Sequence, residues 1–491
     1  MTEPNLLSID QGTTSTRVIL FSRQGKILDS AQRELPQLYP HDGWVEQDPE
    51  TIWAHTAEVV QAVLSRQDAL PVCLGITNQR ETVVIWNRKT GKPIHNAIVW
   101  QDRRTAPVCR RMRKDGHEDL VRERTGLLLD PYFSATKIGW LLDHVPGARD
   151  AAERGDLAFG TIDSFLLWRL TAGRVHATDA TNASRTCLFN IESQKWDDDL
   201  LALFGVPAAL LPEIKDCADD FGRTDRAAIG HDLPIGGVAG DQHAALIGQA
   251  CFTPGMVKST YGTGCFAVLN TGAERARSSH KLLSTLAYRL GGEVTYALEG
   301  SIFVAGAAIQ WLRDGLGLMT SAAESEAMAK SPPAGRNVYM VPAFTGLGAP
   351  HWDAEARGAI YGLTRDTVAA DIVRAALESV AFQTHDLLSA MVADAGPIGT
   401  VRIDGGMAAN DWFCQRLADL CDVKAERPEV TETTALGAAV LAGLSSGIFS
   451  STEEAAAMWS QDQSFCPTLS DEGRARKLEG WHEALRRTLS T

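Results

Sequence analysis

One short device occurs twice in this chain: an apolar strand, a polar turn of glycine and threonine, then a second apolar strand. The first copy is Leu6-Leu7-Ser8-Ile9-Asp10, the turn Gln11-Gly12-Thr13-Thr14, and Val18-Ile19-Leu20-Phe21. The second is Met256 to Thr260, the turn Tyr261-Gly262-Thr263-Gly264, and Cys265 to Leu269. Gly and Thr are turn residues, and flanking apolar runs of this length read as paired strands. Two copies half a chain apart imply two related domains facing across a cleft, with the boundary near residue 250. The 491 residues leave room for such a pair, since domains run to about 100–200 residues each.

Elements around the first copy alternate between strand and helix. Arg23-Gln24-Gly25-Lys26 reads as a hairpin turn into a third strand at Ile27-Leu28. Asp48 can cap a helix whose first position is Pro49, with Glu50 suited to its positive end. Ile52, Trp53, Val59, Val60, Val63 and Leu64 then fall on one helical face. Val72–Thr77 reads as a buried strand, and Thr82–Trp86 with Ala97–Trp100 as a hairpin around Lys89-Thr90-Gly91-Lys92. Helices are expected near Ala135–Leu142 and Ser164–Leu170. A strand over Pro234–Gly240 leads to a helix opened by Asp241-Gln242. This alternation gives an α/β fold.

An apolar content of 44% excludes disorder, and a net charge of −14 opposes nucleic-acid or anionic-membrane binding. The nine cysteines are odd in number, scattered and without a C-x-x-C pair, which suits neither a disulfide framework nor a zinc knuckle. Met1 to Asp10 lacks a basic segment followed by an apolar one, so no secretory leader is expected. No apolar run is long enough for a membrane helix. A cytoplasmic enzyme is the expectation.

The turns carry the densest chemistry. Asp10-Gln11-Gly12-Thr13-Thr14-Ser15-Thr16-Arg17 offers backbone N–H groups, hydroxyl donors and a cation for phosphate oxygens. Asp10 at the strand end could hold Mg²⁺ through water. The competing reading is an ordinary hairpin turn. A third segment, Asp404-Gly405-Gly406-Met407-Ala408-Ala409-Asn410, follows the strand Val401–Ile403 as a strand-to-helix turn where backbone could approach a nucleotide. Neither the Rossmann nor the Walker pattern is present, so phosphate binding has to come from these turns.

The three turns, in this order, are similar to those of the sugar-kinase, Hsp70 and actin ATPase superfamily. Gly75-Ile76-Thr77-Asn78-Gln79-Arg80-Glu81-Thr82, Trp100-Gln101-Asp102-Arg103-Arg104 and Gly240-Asp241-Gln242 resemble the FGGY carbohydrate kinases, in particular the branch acting on glycerol. Trp44-Val45-Glu46-Gln47-Asp48-Pro49 and Pro350-His351-Trp352-Asp353 through Ala356-Arg357-Gly358 extend the resemblance, which covers nearly the whole chain. It implies two ribonuclease H-like domains, residues 1–250 with the polyol and phosphate site and 251–491 with the nucleotide site. It also implies ATP-dependent phosphorylation of glycerol to sn-glycerol 3-phosphate, the first step of glycerol catabolism, with Mg-ATP between the domains. Carried over residue by residue, Arg80, Glu81 and Tyr132 bind glycerol hydroxyls, Asp241 is the base, Gln242 is its neighbour, and Trp100 and Phe266 wall the carbon skeleton. Thr13, Thr14, Ser15 and Arg17 go to the phosphates, and Thr263, Gly306, Gln310, Gly406 and Asn410 to ATP. A homodimer or homotetramer is implied as well.

The chemistry suits the residues. Arginine beside a carboxylate can donate to and accept from adjacent hydroxyls, although a solvated charge pair is the ordinary reading of Arg80-Glu81. Core packing is the ordinary reading of Trp100 and Phe266, and a helix N-cap that of Asp241. His243 reads as a packing or helix-surface residue, and the basic run Arg103-Arg104 with Arg110 to Lys114 as a solvated face. Some relatives carry an arginine for inhibitory fructose 1,6-bisphosphate where this chain has Asp232, so that inhibition is not expected. A kinase for another polyol or ketose, and an Hsp70- or actin-like ATPase, are the alternative readings. The charged helix Glu472–Arg487 has no assigned role.

Overall fold

The first turn device forms the centre of a five-stranded sheet. In the computed structural model, which describes residues 4–331 and 337–490, β1 (Leu6–Gln11) runs antiparallel to β2 (Ser15–Phe21), and β2 antiparallel to β3 (Ile27–Glu34). Met1–Glu3 of the leader reading lie outside the described residues. Helix α1 (Pro49–Leu64) begins where expected: the Asp48 side chain accepts the Glu50 N–H, and Pro49 opens the first turn. Strand β4 (Cys73–Asn78) lies parallel to β1, and β5 (Ile235–Gly240) parallel to β4, giving the order β5-β4-β1-β2-β3. Helix α2 (Asp241–Gly248) follows β5 directly. Leu7, Ile9, Val18, Leu20, Leu74, Ile76 and Val238 bury against Ile52, Val59, Val60 and Val63 of α1. Each such side chain contributes about 1.5–3 kcal/mol when fully buried.

The second device repeats this arrangement. Strand β6 (Met256–Tyr261) is antiparallel to β7 (Cys265–Gly272), and the chain continues through β8 (Leu283–Leu290) and β9 (Glu293–Ile302). After the 27-residue helix α3 (Ala369–Ala395), β10 (Thr400–Asp404) lies parallel to β6. Helix α4 (Asp411–Cys421) precedes β11 (Lys424–Pro428), which is parallel to β10. Helix α5 (Thr433–Ser445), β12 (Gln461–Phe465) and α6 (Asp471–Thr488) complete the chain. The sheet order is β8-β9-β7-β6-β10-β11-β12. In both sheets, one hairpin partner and one parallel partner flank the strand entering the glycine–threonine turn. Val257, Val401, Ile403, Val380, Phe382, Phe413 and Trp481 belong to the core of the second unit.

The chain divides into two compact units, but not by one cut. The first comprises residues 1–252, 284–296 and 432–459, and the second 253–283, 297–431 and 460–491. A single boundary near 250 misses the return of α5, which glycines make possible. A Cβ at Gly437 would lie 1.8 Å from the Ala244 carbonyl oxygen, one at Gly248 1.9 Å from that of Thr433, and one at Gly75 2.0 Å from that of Ala438. Helix α5 therefore packs backbone to backbone against α2 and β4. A second difference concerns the expected hairpin. Val84–Asn87 pairs with Leu157–Gly160, and Ala97–Ile98 with Glu46–Gln47; the two arms meet only at the bridges Val83–Ile98 and Trp86–Pro93. The turn closes between Asn87 and Lys92, Ile94 N–H donates to the Ile85 carbonyl oxygen over 2.9 Å, and Val83 and Ile98 exchange bonds, without a continuous ladder between the arms. Among the described residues, no helix is long and apolar enough to cross a membrane.

Gly437→Ala should lower the unfolding free energy by about 1–3 kcal/mol, the range for overpacking, in urea denaturation. Gly399→Ala should stay close to the parent, because nothing lies within 4 Å of the added Cβ and no unusual φ is required.

Candidate active site

The first turn is fixed from both sides. Gly12 N–H donates to the Ser15 carbonyl oxygen over 2.9 Å, with Asp10 opposite Arg17 and Gln11 opposite Thr16 in the ladder. Gln47 Nε2 donates to the Thr13 carbonyl oxygen over 2.6 Å, and Gln79 Nε2 to Gln47 Oε1 over 2.8 Å. The Trp100 indole N–H donates to Thr13 Oγ1 over 2.9 Å. Thr14 is exposed, and Ser15 half-buried. Arg17 pairs with Glu432 at the start of α5 and donates to Gln32 Oε1 over 2.9 Å. Burial pushes the Asp10 carboxyl up to about 7; Arg17 opposes this, while Asp241 and Glu432 add to it. Asp10, with Asp241 and Glu432 acting on it, is part of a hard-oxygen donor set whose negative charge a divalent cation would neutralise, so the residues fit Mg²⁺ at Asp10.

Beside this turn lies a line of alternating charges. Arg80 Nε is 3.0 Å from Asp241 Oδ1 and 3.8 Å from Glu81 Oε1, and Arg185 Nε donates to Glu81 Oε1 over 2.7 Å. Arg80, Glu81 and Arg185 are all at most 2% exposed, whereas the Asp241 side chain is 31% exposed. Arg80 Nη2 also donates to Tyr132 Oη over 3.4 Å, and the Tyr132 ring meets Trp100 edge-on at 5.6 Å. Glu81 adopts a φ of 61°, uncommon for a residue with a side chain. Its carbonyl oxygen accepts from Ser134 Oγ over 3.1 Å and Lys137 Nζ over 3.4 Å, which hold that backbone in place. Burial pulls the Lys137 ammonium down to about 8, against the pull of Glu81, Asp102 and Asp130. Asp241 is the first residue of α2 and Gly240 its cap; Asp241 Oδ1 accepts the Gln242 N–H over 2.7 Å. Gln242 is half-buried next to it.

In the second unit, the turn after β6 is packed by two glycines. Gly306 N–H donates to the Gly262 carbonyl oxygen over 3.0 Å, and Ala305 and Ala307 N–H to that of Thr263 over 2.9 and 3.0 Å. A Cβ at Gly306 would lie 2.6 Å from the Gly262 carbonyl oxygen, and one at Gly405, whose φ is 86°, 2.6 Å from that of Tyr261. Gly406 is exposed, with nothing near an added Cβ. Thr263 and Gln310 are exposed, and a π-helical turn over Trp311–Gly315 follows Gln310. Asn410 caps α4, accepting the Phe413 N–H over 2.9 Å, while its amide donates to Ser325 Oγ over 3.2 Å. Phe266 lies half-buried on β7 opposite Thr260; its carbonyl oxygen accepts from the buried Lys258 Nζ over 3.2 Å.

Several residues behave differently from their sequence reading. Arg104 is not part of a solvated face: its side chain is buried, salt-bridged to Asp102 and Glu46, and lies against Trp44 at 3.8 Å and Trp140 at 4.6 Å, two rings that meet edge to face. Arg103, Arg110, Arg111, Arg113 and Lys114 are exposed as expected. Asp241 takes the first helical position in place of the cap. His243 is a fully buried packing residue near Thr285. Asp232 accepts from Arg223 Nε over 2.7 Å at the surface. Arg185 and Lys137 were missed, because nothing in their local sequence marks them; only the fold brings them to Glu81.

Models of the FGGY family of carbohydrate kinases match residues 5–248 with the N-terminal domain and 257–446 with the C-terminal domain. A glycerol kinase of Rhodospirillum centenum is 60% identical over 490 residues, covering 99% of this chain and 98% of its own. One from Methylobacterium nodulans is 59% identical over 487 residues, covering 98% and 97%. The crystal structure of Plasmodium falciparum glycerol kinase with ADP is similar with a TM-score of 0.95 at 36% identity, over 100% of this chain and 99% of that one.

The raised carboxyl of Asp10 gives stability a pH dependence of definite sign. The unfolded side chain ionises near pH 3.9, so between about pH 4 and 7 only the folded state keeps the proton, and stability falls as pH rises. Asp10→Asn should therefore gain on the parent across that window and level off above it, as followed by urea denaturation without divalent cations.

Proposed function

We infer the activity from one premise: the chain belongs to the FGGY family of carbohydrate kinases. It phosphorylates glycerol with ATP, yielding glycerol 3-phosphate and ADP. The observation that supports specific roles is the Asp241 carboxylate, held 3.0 Å from Arg80 Nε and still open to a ligand.

On this reading, Arg80 and Glu81 present donors and an acceptor to adjacent hydroxyls, with Tyr132 and Gln242 as further polar partners and Trp100 and Phe266 against the carbon chain. Asp241 accepts the proton of the attacking hydroxyl. The new bond forms between that oxygen and the γ-phosphorus, while the bond to the bridging oxygen of ADP breaks. Because Arg80 fixes one carboxylate oxygen, Asp241 is oriented before substrate arrives, and positioning supplies much of the rate in phosphoryl transfer. Thr13, Thr14, Ser15 and Arg17 would hold phosphate oxygens through turn N–H groups, hydroxyls and charge. Thr263, Gly306, Gln310, Gly406 and Asn410 would take the remainder of the nucleotide, Asn410 by giving up its bond to Ser325. Asp10 would hold Mg²⁺ through water, and the ion supplies charge neutralisation for the polyphosphate. A homodimer or homotetramer accords with the same family membership and is read directly by sedimentation.

ADP release should be strong with glycerol and weak with xylulose, ribulose, erythritol or no acceptor. Asp241→Asn should reduce kcat by about 10²–10⁴-fold, the usual contribution of a positioned base, with ADP affinity nearly unchanged. Near-parental kcat at saturating substrate would remove Asp241 from that role. Strong ATP turnover without an acceptor would remove the kinase reading.

A further inference from the structure

A second cluster of ionisable groups sits in the second unit, built from residues that none of the phosphate or polyol roles uses. Asp386 lies on α3, its side chain only 9% exposed, and three imidazoles converge on it from three segments. His385 Nδ1, next along α3, is 3.4 Å from Asp386 Oδ1, and His482 Nε2 of α6 is 3.2 Å from the same oxygen. His351, from the loop before the second sheet's long helix, places Nε2 3.6 Å from Asp386 Oδ2. The Trp481 indole N–H donates to Oδ2 over 2.8 Å and so fixes the carboxylate plane.

We propose that His385, Asp386 and His482 bind one borderline divalent transition-metal ion, of the zinc or nickel type, that ties α6 to α3, while His351 faces the other oxygen of the Asp386 carboxylate. One ligand atom from each of the three lies within 4.8 Å of the others. Bonds of about 2.0–2.1 Å to nitrogen and oxygen separate tetrahedral ligands by about 3.3 Å. The two imidazole-to-carboxylate distances already match that edge. Only the edge between the imidazoles must close, and His482, 54% exposed, has the freedom to do so and gives the ion a route from solvent. Imidazole with carboxylate favours zinc, nickel or copper over the oxygen-seeking Mg²⁺ and Ca²⁺. The indole bond to the far carboxylate oxygen is the kind of outer contact that orients a metal ligand. The site has a structural purpose. Helix α6 anchors through Trp481, whose ring stacks on Phe382 at 5.2 Å, and an ion next to it would pin the C-terminal helix at the same point.

The test uses the untagged full-length chain without nucleotide, in excess Mg²⁺ so that any magnesium site is filled. Equilibrium dialysis with Zn²⁺, and separately with Ni²⁺, should give one ion per chain. Asp386→Asn and the double variant His385→Ala/His482→Ala should weaken binding at least 100-fold, whereas Cys466→Ser, which removes the exposed thiol, should not. Amide exchange in α6 should slow with Zn²⁺ in the parent and not in the single variant His482→Ala, whose exposed side chain is not needed for folding. Absence of a tightly bound ion in the parent, or equal binding in the histidine and aspartate variants, overturns the proposal and leaves a hydrogen-bonded cluster.

Discussion

The contact between the Arg80 guanidinium and the Asp241 carboxylate sets the arrangement of the first unit's site. Arg80 is almost fully buried, and a charge in such a place is tolerated only when it is paired and hydrogen-bonded. Its partners come from the end of β4, from the first residue of α2 and from the Tyr132 loop. Glu81 carries the demand onward, because a carboxylate that is 1% exposed requires Arg185 in turn. The line of charges thus joins segments far apart in sequence, and it ends at the one member still accessible to a ligand. Removing any buried member would strand its neighbour, so these groups hold the fold in register.

Much of this architecture is legible in the sequence because its signals are local. Asp48-Pro49-Glu50 fixes the start of α1 with backbone and side-chain geometry contained in three residues. The glycine–threonine turns are legible for the same reason, and their duplication correctly announces two similar sheets. The expected hairpin at Thr82–Trp100 is only partly formed because partner choice is not local: Leu157–Gly160, more than 50 residues on, takes the other edge of Val84–Asn87, and Ala97–Ile98 pairs with Glu46–Gln47. The division of the chain was also harder to read, since a helix beyond residue 430 returns to the first sheet with no linker composition to announce it.

Site residues follow the same rule. Arg80, Glu81 and Asp241 stand out through the resemblance of their short motifs to the FGGY kinases; by residue type alone they read as a charge pair and a helix cap. Arg104 departs from its reading because a basic run usually faces water, and nothing in its neighbours reveals the corner formed by Trp44 and Trp140. Arg185 and Lys137 act on Glu81 through distance alone. Asn410, expected at the nucleotide, also caps α4 with its side-chain oxygen, a role that a strand-to-helix turn equally suggests.

The glycine seam beneath α2 has a consequence for how the sequence can drift. Where two side chains touch, a larger residue on one side can be offset by a smaller one on the other. Here the atoms facing Gly437, Gly248 and Gly75 are carbonyl oxygens of the main chain, which no substitution can trim. An added carbon has to be absorbed by displacing a whole helix, and α2 carries Asp241 at its first residue. Gly437 lies outside every motif associated with the reaction, yet it acts as a gauge block for the position of the carboxylate: a residue with no chemistry of its own that sets a dimension of the site.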